Sequence, residues 1–314
     1  MDYGIQYGEQ VDRARRDGRP IVALESTIIS HGLPRPDNLR VARDVEDTVR
    51  DNGAVPATIG MIGGRLIVGL SDPEIEHLAG ADGVVKLSVR DLAVAAATGA
   101  DGATTVAATS AIAAAAGIGV FATGGLGGVH RDASVTYDES ADLTTLARTP
   151  IVVVCAGVKS ILDVGATLER LETLGVTVAG YRTRRFPGFF VTDGGFDLDW
   201  GLESPEEVAA AMAARTAHGV TSGAILLANP LPPDEQLDPE LHDRTLAAGL
   251  ALLAEDRITG KAVTPFLLAH FHSATEGRSL AVNIRIILRN AALAAQIAGA
   301  ANPAPTPLGF TVPA

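Results

Sequence analysis

Short apolar, β-branched runs alternate along the chain with longer amphipathic stretches. The runs read "IVALEST", "ATIGMIGG", "RLIVGL", "GVVKLSV", "GIGVFATGG", "IVVVCAG", "VTVAGY" and "GAILLANP". Runs of this kind, bounded by Gly, Asn or Ser, predict buried strands. Between several of them lie patterns such as "NLRVARDVEDTVRDNG", "VRDLAVAAATGA" and "SILDVGATLERLETLG", whose spacing of apolar residues predicts helices. The alternation predicts βαβ units, hence an α/β fold with three layers, α/β/α, around a mostly parallel central sheet. Ligands in such sheets gather outside the carboxyl ends of the strands. That rule draws attention to Glu25, Lys86, the glycines after Thr123, and Lys159, which all follow apolar runs.

No fixed-period repeat and no Pro-, Gly- or Ser-rich linker forces a domain cut, so residues 1–301 read as one α/β domain. The last helix pattern, "NIRIILRNAALAAQIAGA", is followed over 302–314 by a proline-containing tail that is expected to be irregular. A length of 314 residues is enough for a substantial core.

Composition narrows the function. The formal charge is −12, from 25 Lys plus Arg against 37 Asp plus Glu, and no long basic stripe offsets it, which disfavours nucleic acid as a partner. Aromatic residues make up 4 %, too few for a base-stacking surface. A small anionic ligand needs only a few local donors and remains open. The apolar region from Leu92 to Val129 is interrupted by Asp101 and many glycines, so no membrane span is expected there. The first residues have neither the basic start nor the apolar centre of a secretory signal, and a single cysteine, Cys155, allows no internal disulfide. A cytoplasmic location is expected.

Glu25 ends an apolar run. An acid in that position can have its pKa raised by desolvation and serve as a proton donor, or it can be a structural carboxylate bonded to nearby backbone; spacing alone weighs the two equally. In "IVVVCAGVKSILDVGATLERL" a strand leads through Gly157 towards a helix, with Lys159 expected near its first turn. A helix amino terminus and burial both lower a lysine pKa, which suits an amine nucleophile that forms an imine with a sugar aldehyde. A solvated lysine at a helix start is the commoner alternative.

The glycines of "VFATGGLGGVHRD", with His130 and Arg131 beyond them, suit a phosphate held by backbone N–H groups and a guanidinium. They match neither the dinucleotide fingerprint nor the P-loop, and on the residues alone a plain glycine turn is preferred. In "TYDESADL", Asp138, Glu139 and Asp142 could hold a hard divalent cation, but a Ser or Asp cap with acids in the first helical turn is equally natural and is preferred on the residues alone. Lys86 can grip an anion or lie solvated. Asn283 and Asn290, on an apolar helix pattern, are satisfied core amides or ligand contacts.

These segments together resemble the pseudouridine-5′-phosphate glycosidases, a family related to the indigoidine-biosynthesis protein IndA. The matching stretches are "VALESTIISHGLPRP", "IGMIGGRLIVGL", "KLSVRDL", "GATTVAATS", "FATGGLGGVHR", "DESADL", "CAGVKSILD", "GYRT", "ANPLP", "TPFLL" and "NIRIILRNAALAAQIA", in order over about residues 20 to 300. The resemblance implies reversible cleavage of the C–C glycosidic bond of pseudouridine 5′-phosphate to uracil and ribose 5-phosphate. By the same resemblance Glu25 falls on the proton donor and Lys159 on the nucleophile. Lys86, Val106, Ser140, Ala141 and Asp142 fall on substrate-binding positions and Asp138 on the metal position, and the resemblance also implies manganese as cofactor and a homotrimer. The segment "YRTRRFPGFFVTDGGFDLDW" is more basic than the family leads one to expect, and the tail has no clear counterpart. Two rival readings remain at the level of sequence: another Schiff-base lyase or aldolase for phosphosugars, and a non-catalytic accessory protein that keeps the pocket.

Overall fold

The structure, a computed structural model, describes residues 4–258 and 263–302. Seven strands lie side by side and parallel in the order Val55–Ile62, Ile21–Leu24, Val120–Ala122, Val152–Cys155, Ile225–Ala228, Thr177–Tyr181 and Trp200–Leu202. Beyond Val55–Ile62 the sheet continues as a mixed wing. Arg65–Val68 and Gly102–Thr104 pair with it antiparallel, Val85–Leu87 runs beside Gly102–Thr104, and Gln6–Tyr7 edges Arg65–Val68.

The central runs are apolar at every position because both faces are covered. Val22, Leu24, Val120, Ala122, Val152 and Val154 point to one side, where Val41, Val45 and Val49 of the helix Asp37–Asp51 and Ile287, Ala291 and Ala294 of the helix Arg278–Ala301 pack on them. Ala23, Phe121, Val153 and Cys155 point to the other, against Ala108 and Ile112 of the helix Val106–Ala115. Each fully buried Val, Leu or Phe in these layers contributes about 1.5–3 kcal/mol. The expected α/β fold with helices on both faces of a mostly parallel sheet is therefore what the chain adopts.

The helix Arg278–Ala301 is long and apolar enough to cross a membrane by length and composition. Half of its most apolar stretch is buried within the fold, where Val282, Ile286 and Asn290 face inward. The tail expected from residue 302 lies outside the described residues after Asn302.

Candidate active site

Strand register decides which loop residues meet. Leu24 pairs with Ala122, Ala122 with Val154, and Cys155 with Ala228. The residues that follow, Glu25, Thr123, Ala156 and Asn229, therefore stand along one edge of the sheet, at the carboxyl ends of its central strands. Glu25 is half-buried there. One of its carboxylate oxygens accepts the hydroxyl of Thr27 and the other that of Thr123. Ser26, between Glu25 and Thr27, turns the opposite way: it donates to the Ile59 carbonyl at 2.6 Å and accepts the Thr104 amide at 2.9 Å, tying the parallel sheet to its mixed wing.

Thr123 is itself fixed from behind. The amide of Asn290, buried in the helix Arg278–Ala301, donates to the Thr123 carbonyl at 2.8 Å and accepts from Asn229 at 2.9 Å. Of the two alternatives for Asn290, the satisfied core amide is the one realised, and it clamps two strand ends beneath the site.

Lys159 lies in the loop 156–163, ahead of the helix Val164–Thr173, rather than in a first helical turn. The reason is local: Asp163 caps that helix by accepting the Ala166 amide at 2.9 Å, so the helix starts later than the sequence pattern suggests. A positive φ of 83° at Gly157 lets the loop turn sharply off the strand, a conformation suited to glycine. The helix-dipole argument for Lys159 falls with that placement; its position at the cavity does not.

Glu25, Lys86 and Lys159 line one cavity, with His31, Asn283 and Phe189. Lys86 reaches it from the strand Val85–Leu87 of the mixed wing. The sequence holds only three lysines among its 25 cationic side chains, Lys86, Lys159 and Lys261. Two of the three open into this cavity, and Lys261 lies outside the described residues. The helix Val263–Ala274 forms a roof, with Thr264, Pro265 and Leu268 at the cavity and Leu267 and Phe271 buried beneath it. Phe271 stacks on Phe190 at 5.2 Å, and Phe190 meets Phe189 edge-on at 4.6 Å, so one run of aromatic contacts joins the roof to the wall. Phe189 holds a left-handed backbone, φ 64°, a strained conformation for a bulky residue of the kind that concentrates at active sites. Its ring lies where a side chain on Gly125 would have to go, 2.6 Å from an added Cβ.

The remaining expected residues gather elsewhere. None of Val106, His130, Arg131, Asp138, Ser140, Ala141 or Asp142 lines the cavity of Glu25 and Lys159. His130 and Arg131 line a separate cleft with Ile161 and Val263, and the Arg131 guanidinium donates to the carbonyls of Ser160 and Ile161, bracing the Lys159 loop. Asp142 is buried and accepts the amides of Ala107 at 2.9 Å and Gly127 at 2.8 Å, linking the glycine loop to the start of the helix Val106–Ala115. The Gly127 amide is thus already bonded, and the glycines serve close packing: a Cβ at Gly127 would come within 2.3 Å of the Ser140 hydroxyl. Ser140 caps the helix Ala141–Leu146, as the residues alone suggest.

Among the described residues no group of three or more His, Cys, Asp or Glu is placed to hold a metal. Glu139 pairs with Arg170 at 2.9 Å, and Asp142 is committed to backbone. Asp138 remains, half-exposed, with His130 Nδ1 at 3.9 Å. That donor set fits a hydrated magnesium- or manganese-like ion anchored by one carboxylate, with water or ligand oxygens completing the shell. Cys155 is no rival nucleophile, since full burial pushes its thiol up to about 12.

Thr27, Thr123, His31 and the roof helix were not singled out from sequence as site residues. Thr27 lies two residues from Glu25, which is a usable signal; Thr123 lies 98 residues away, and only the strand order brings it in.

Comparison with known proteins shows the family and the fold. A family model described as "Indigoidine synthase A like protein" matches residues 10–300. A protein of Salinispora tropica named pseudouridine-5′-phosphate glycosidase is 77 % identical over 94 % of this chain and 91 % of its own length. One of the same name from Symbiobacterium thermophilum is 55 % identical over 95 % and 98 %. Among solved structures, the prealnumycin C-glycosynthase AlnA in complex with ribulose 5-phosphate superposes with a TM-score of 0.88 at 37 % identity, over 96 % of this chain and 98 % of that one. An indigoidine synthase A-like protein of Thermotoga maritima gives 0.83 at 34 %, over 94 % and 95 %.

Proposed function

This chain belongs to the family of indigoidine synthase A like proteins, and on that premise we propose that it is an enzyme that cleaves the C–C glycosidic bond of pseudouridine 5′-phosphate, giving uracil and ribose 5-phosphate. The observation that carries the reading is that Glu25 and Lys159, from separate strand ends, open into the same cavity.

The bond to be broken joins C1′ of the ribose to C5 of uracil, so no oxygen or nitrogen leaving atom can be activated. The Lys159 amine, uncharged, adds to C1′ as O4′ departs and takes up a proton, which opens the ribose ring. Glu25 delivers a proton to C5. The Lys159 nitrogen lone pair then forms the C1′=N bond, and the electrons of the C1′–C5 bond return to the uracil ring. Water hydrolyses the imine, frees ribose 5-phosphate and restores the lysine. The hydroxyls of Thr27 and Thr123 suit this exchange because a hydroxyl can donate to a carboxylate and equally accept from a carboxylic acid. The roof helix and Phe189 wall the cavity in which the imine forms.

Reduction with borohydride in the presence of ribose 5-phosphate is expected to fix the sugar on Lys159, located by mass spectrometry; an adduct on another lysine would reassign the nucleophile. Asp138 is the residue that would anchor a divalent ion, manganese by resemblance, and such an ion would neutralise negative charge on ligand oxygens. Chelation should lower uracil release and Mn²⁺ should restore it in the native chain but not in Asp138→Ala; activity indifferent to both treatments would remove the metal from the proposal. A homotrimer in the cytoplasm completes the reading, and sedimentation equilibrium measures the assembly.

A further inference from the structure

The helix Asp37–Asp51 turns Val41, Ala42, Val45 and Val49 to the core, and among these apolar positions it buries a carboxylate, Glu46, 4 % exposed. An acid buried there loses its hydration and persists only if it is bonded. Both of its oxygens are: Oε1 accepts the Thr58 hydroxyl at 2.6 Å and Oε2 the Arg50 guanidinium at 2.7 Å. Arg50 is shared with Asp47, at 2.8 Å. Burial pushes the Glu46 carboxyl above its ordinary value; Thr58 and Arg50 pull against that rise, and the charge of Asp72 adds to it.

Glu46 stands between two cavities. On the outer side it lines a cleft of about 430 Å³ with Arg50, Glu9, Ser71 and Asp72, all four exposed. On the inner side its partner Thr58 lines a small cavity of about 20 Å³, and Glu25 lines the same one, among Val41, Val45 and Ile287. Strand register explains the meeting: Leu24 pairs with Thr58, so Glu25 stands one step beyond it. That volume has room for one water molecule, and Glu25 and Thr58 give it two polar partners. Glu25 can accept such a bond, because each carboxylate oxygen has two lone pairs and the hydroxyls of Thr27 and Thr123 occupy one on each. Glu25 therefore faces the cavity of Lys159 on one side and the small cavity on the other.

The proposed reaction leaves Glu25 with a debt of one proton per cycle. Its proton departs on uracil C5, and hydrolysis of the imine frees one at Lys159, on the far side of the sugar. Resting on the proposed function, we infer that Glu46 and Thr58 form a relay behind Glu25 that returns this proton from the outer cleft through one water in the small cavity. Glu46 gives its proton to the Thr58 oxygen, Thr58 gives its own hydroxyl proton to the water, and the water gives one to Glu25. Each intermediate oxygen gains one proton and loses one, and Glu46 is refilled from solvent in the cleft. A threonine hydroxyl suits the middle place because it accepts and donates at once.

The test separates the first cycle from those that follow. With the chain in excess over pseudouridine 5′-phosphate, each site uses the proton it already holds; with substrate in excess, every cycle needs a new one. Glu46→Gln should match the native chain in single-turnover uracil release and lose about tenfold in kcat, as should Thr58→Val, whereas Thr58→Ser keeps a hydroxyl and should retain native kcat. Damage to packing would slow both regimes together. Should Glu46→Gln fail to fold, the two Thr58 variants decide. Native kcat in Thr58→Val or in a folded Glu46→Gln, a single-turnover rate that falls in step with kcat, or a Thr58→Ser as slow as Thr58→Val overturns the relay. Failure of the enzymatic reading is separable: a native chain that releases no uracil removes the reaction and the relay with it, while an active native chain with unaffected variants removes the relay alone.

Discussion

Glu25 and Asp142 are both carboxylates with two hydrogen-bond donors, and they do different work. Asp142 is held by two backbone amides, at Ala107 and Gly127, which can only donate and are fixed in space. Glu25 is held by two threonine hydroxyls, which rotate and can donate or accept, and it opens into a cavity. The first arrangement fits a carboxylate kept as an acceptor, a rivet between a glycine loop and a helix start. The second allows a proton to arrive and leave without stranding a partner. In this molecule the kind of donor distinguishes the structural acid from the one proposed to react.

The widest contrast is expected from conservative amide substitutions at the two positions. Glu25→Gln should lower kcat for uracil release by about 10²–10⁴-fold, the usual contribution of a positioned proton donor, and leave the melting temperature nearly unchanged. Asp142→Asn sets an NH₂ group against a backbone amide and should cost about 1–3 kcal/mol, read as a fall of several degrees in melting temperature. The comparison breaks if the two variants exchange these signatures. A smaller effect sharpens it: Thr123→Val removes one hydroxyl at nearly constant volume and should reduce kcat by about tenfold, with KM and stability changed little. At the lower end, Cys155, whose thiol burial pushes up to about 12, should stay unmodified by iodoacetamide at neutral pH in the folded chain.

Much of this was legible in the chain because strands buried on both faces leave a strong mark. The runs that predict strands at "IVAL", "VFA", "VVVC" and "ILLA" are strands, and the rule that ligands gather at their carboxyl ends leads directly to Glu25 and Lys159. Other features carry no periodic signal. The Thr123 hydroxyl reaches Glu25 only because Ile21–Leu24 pairs with Val120–Ala122, and strand order is not written in local pattern. The start of the helix after Lys159 was misplaced because Ser160 and Asp163 are both plausible caps, and the structure uses Asp163. The glycines before His130 leave a phosphate cradle and a plain turn open, with the turn preferred, but not the reason for glycine: Gly125 and Gly127 are required by the close approach of Phe189 and Ser140.

The scarcity of lysine has a pharmacological consequence. A chain that supplies nearly all its positive charge through guanidinium groups offers a carbonyl electrophile few amines, and two of its three lysines face one chamber. An aldehyde warhead shaped for that chamber would meet almost no competing lysine elsewhere on the protein, so its selectivity within the molecule is already set by the amino-acid composition.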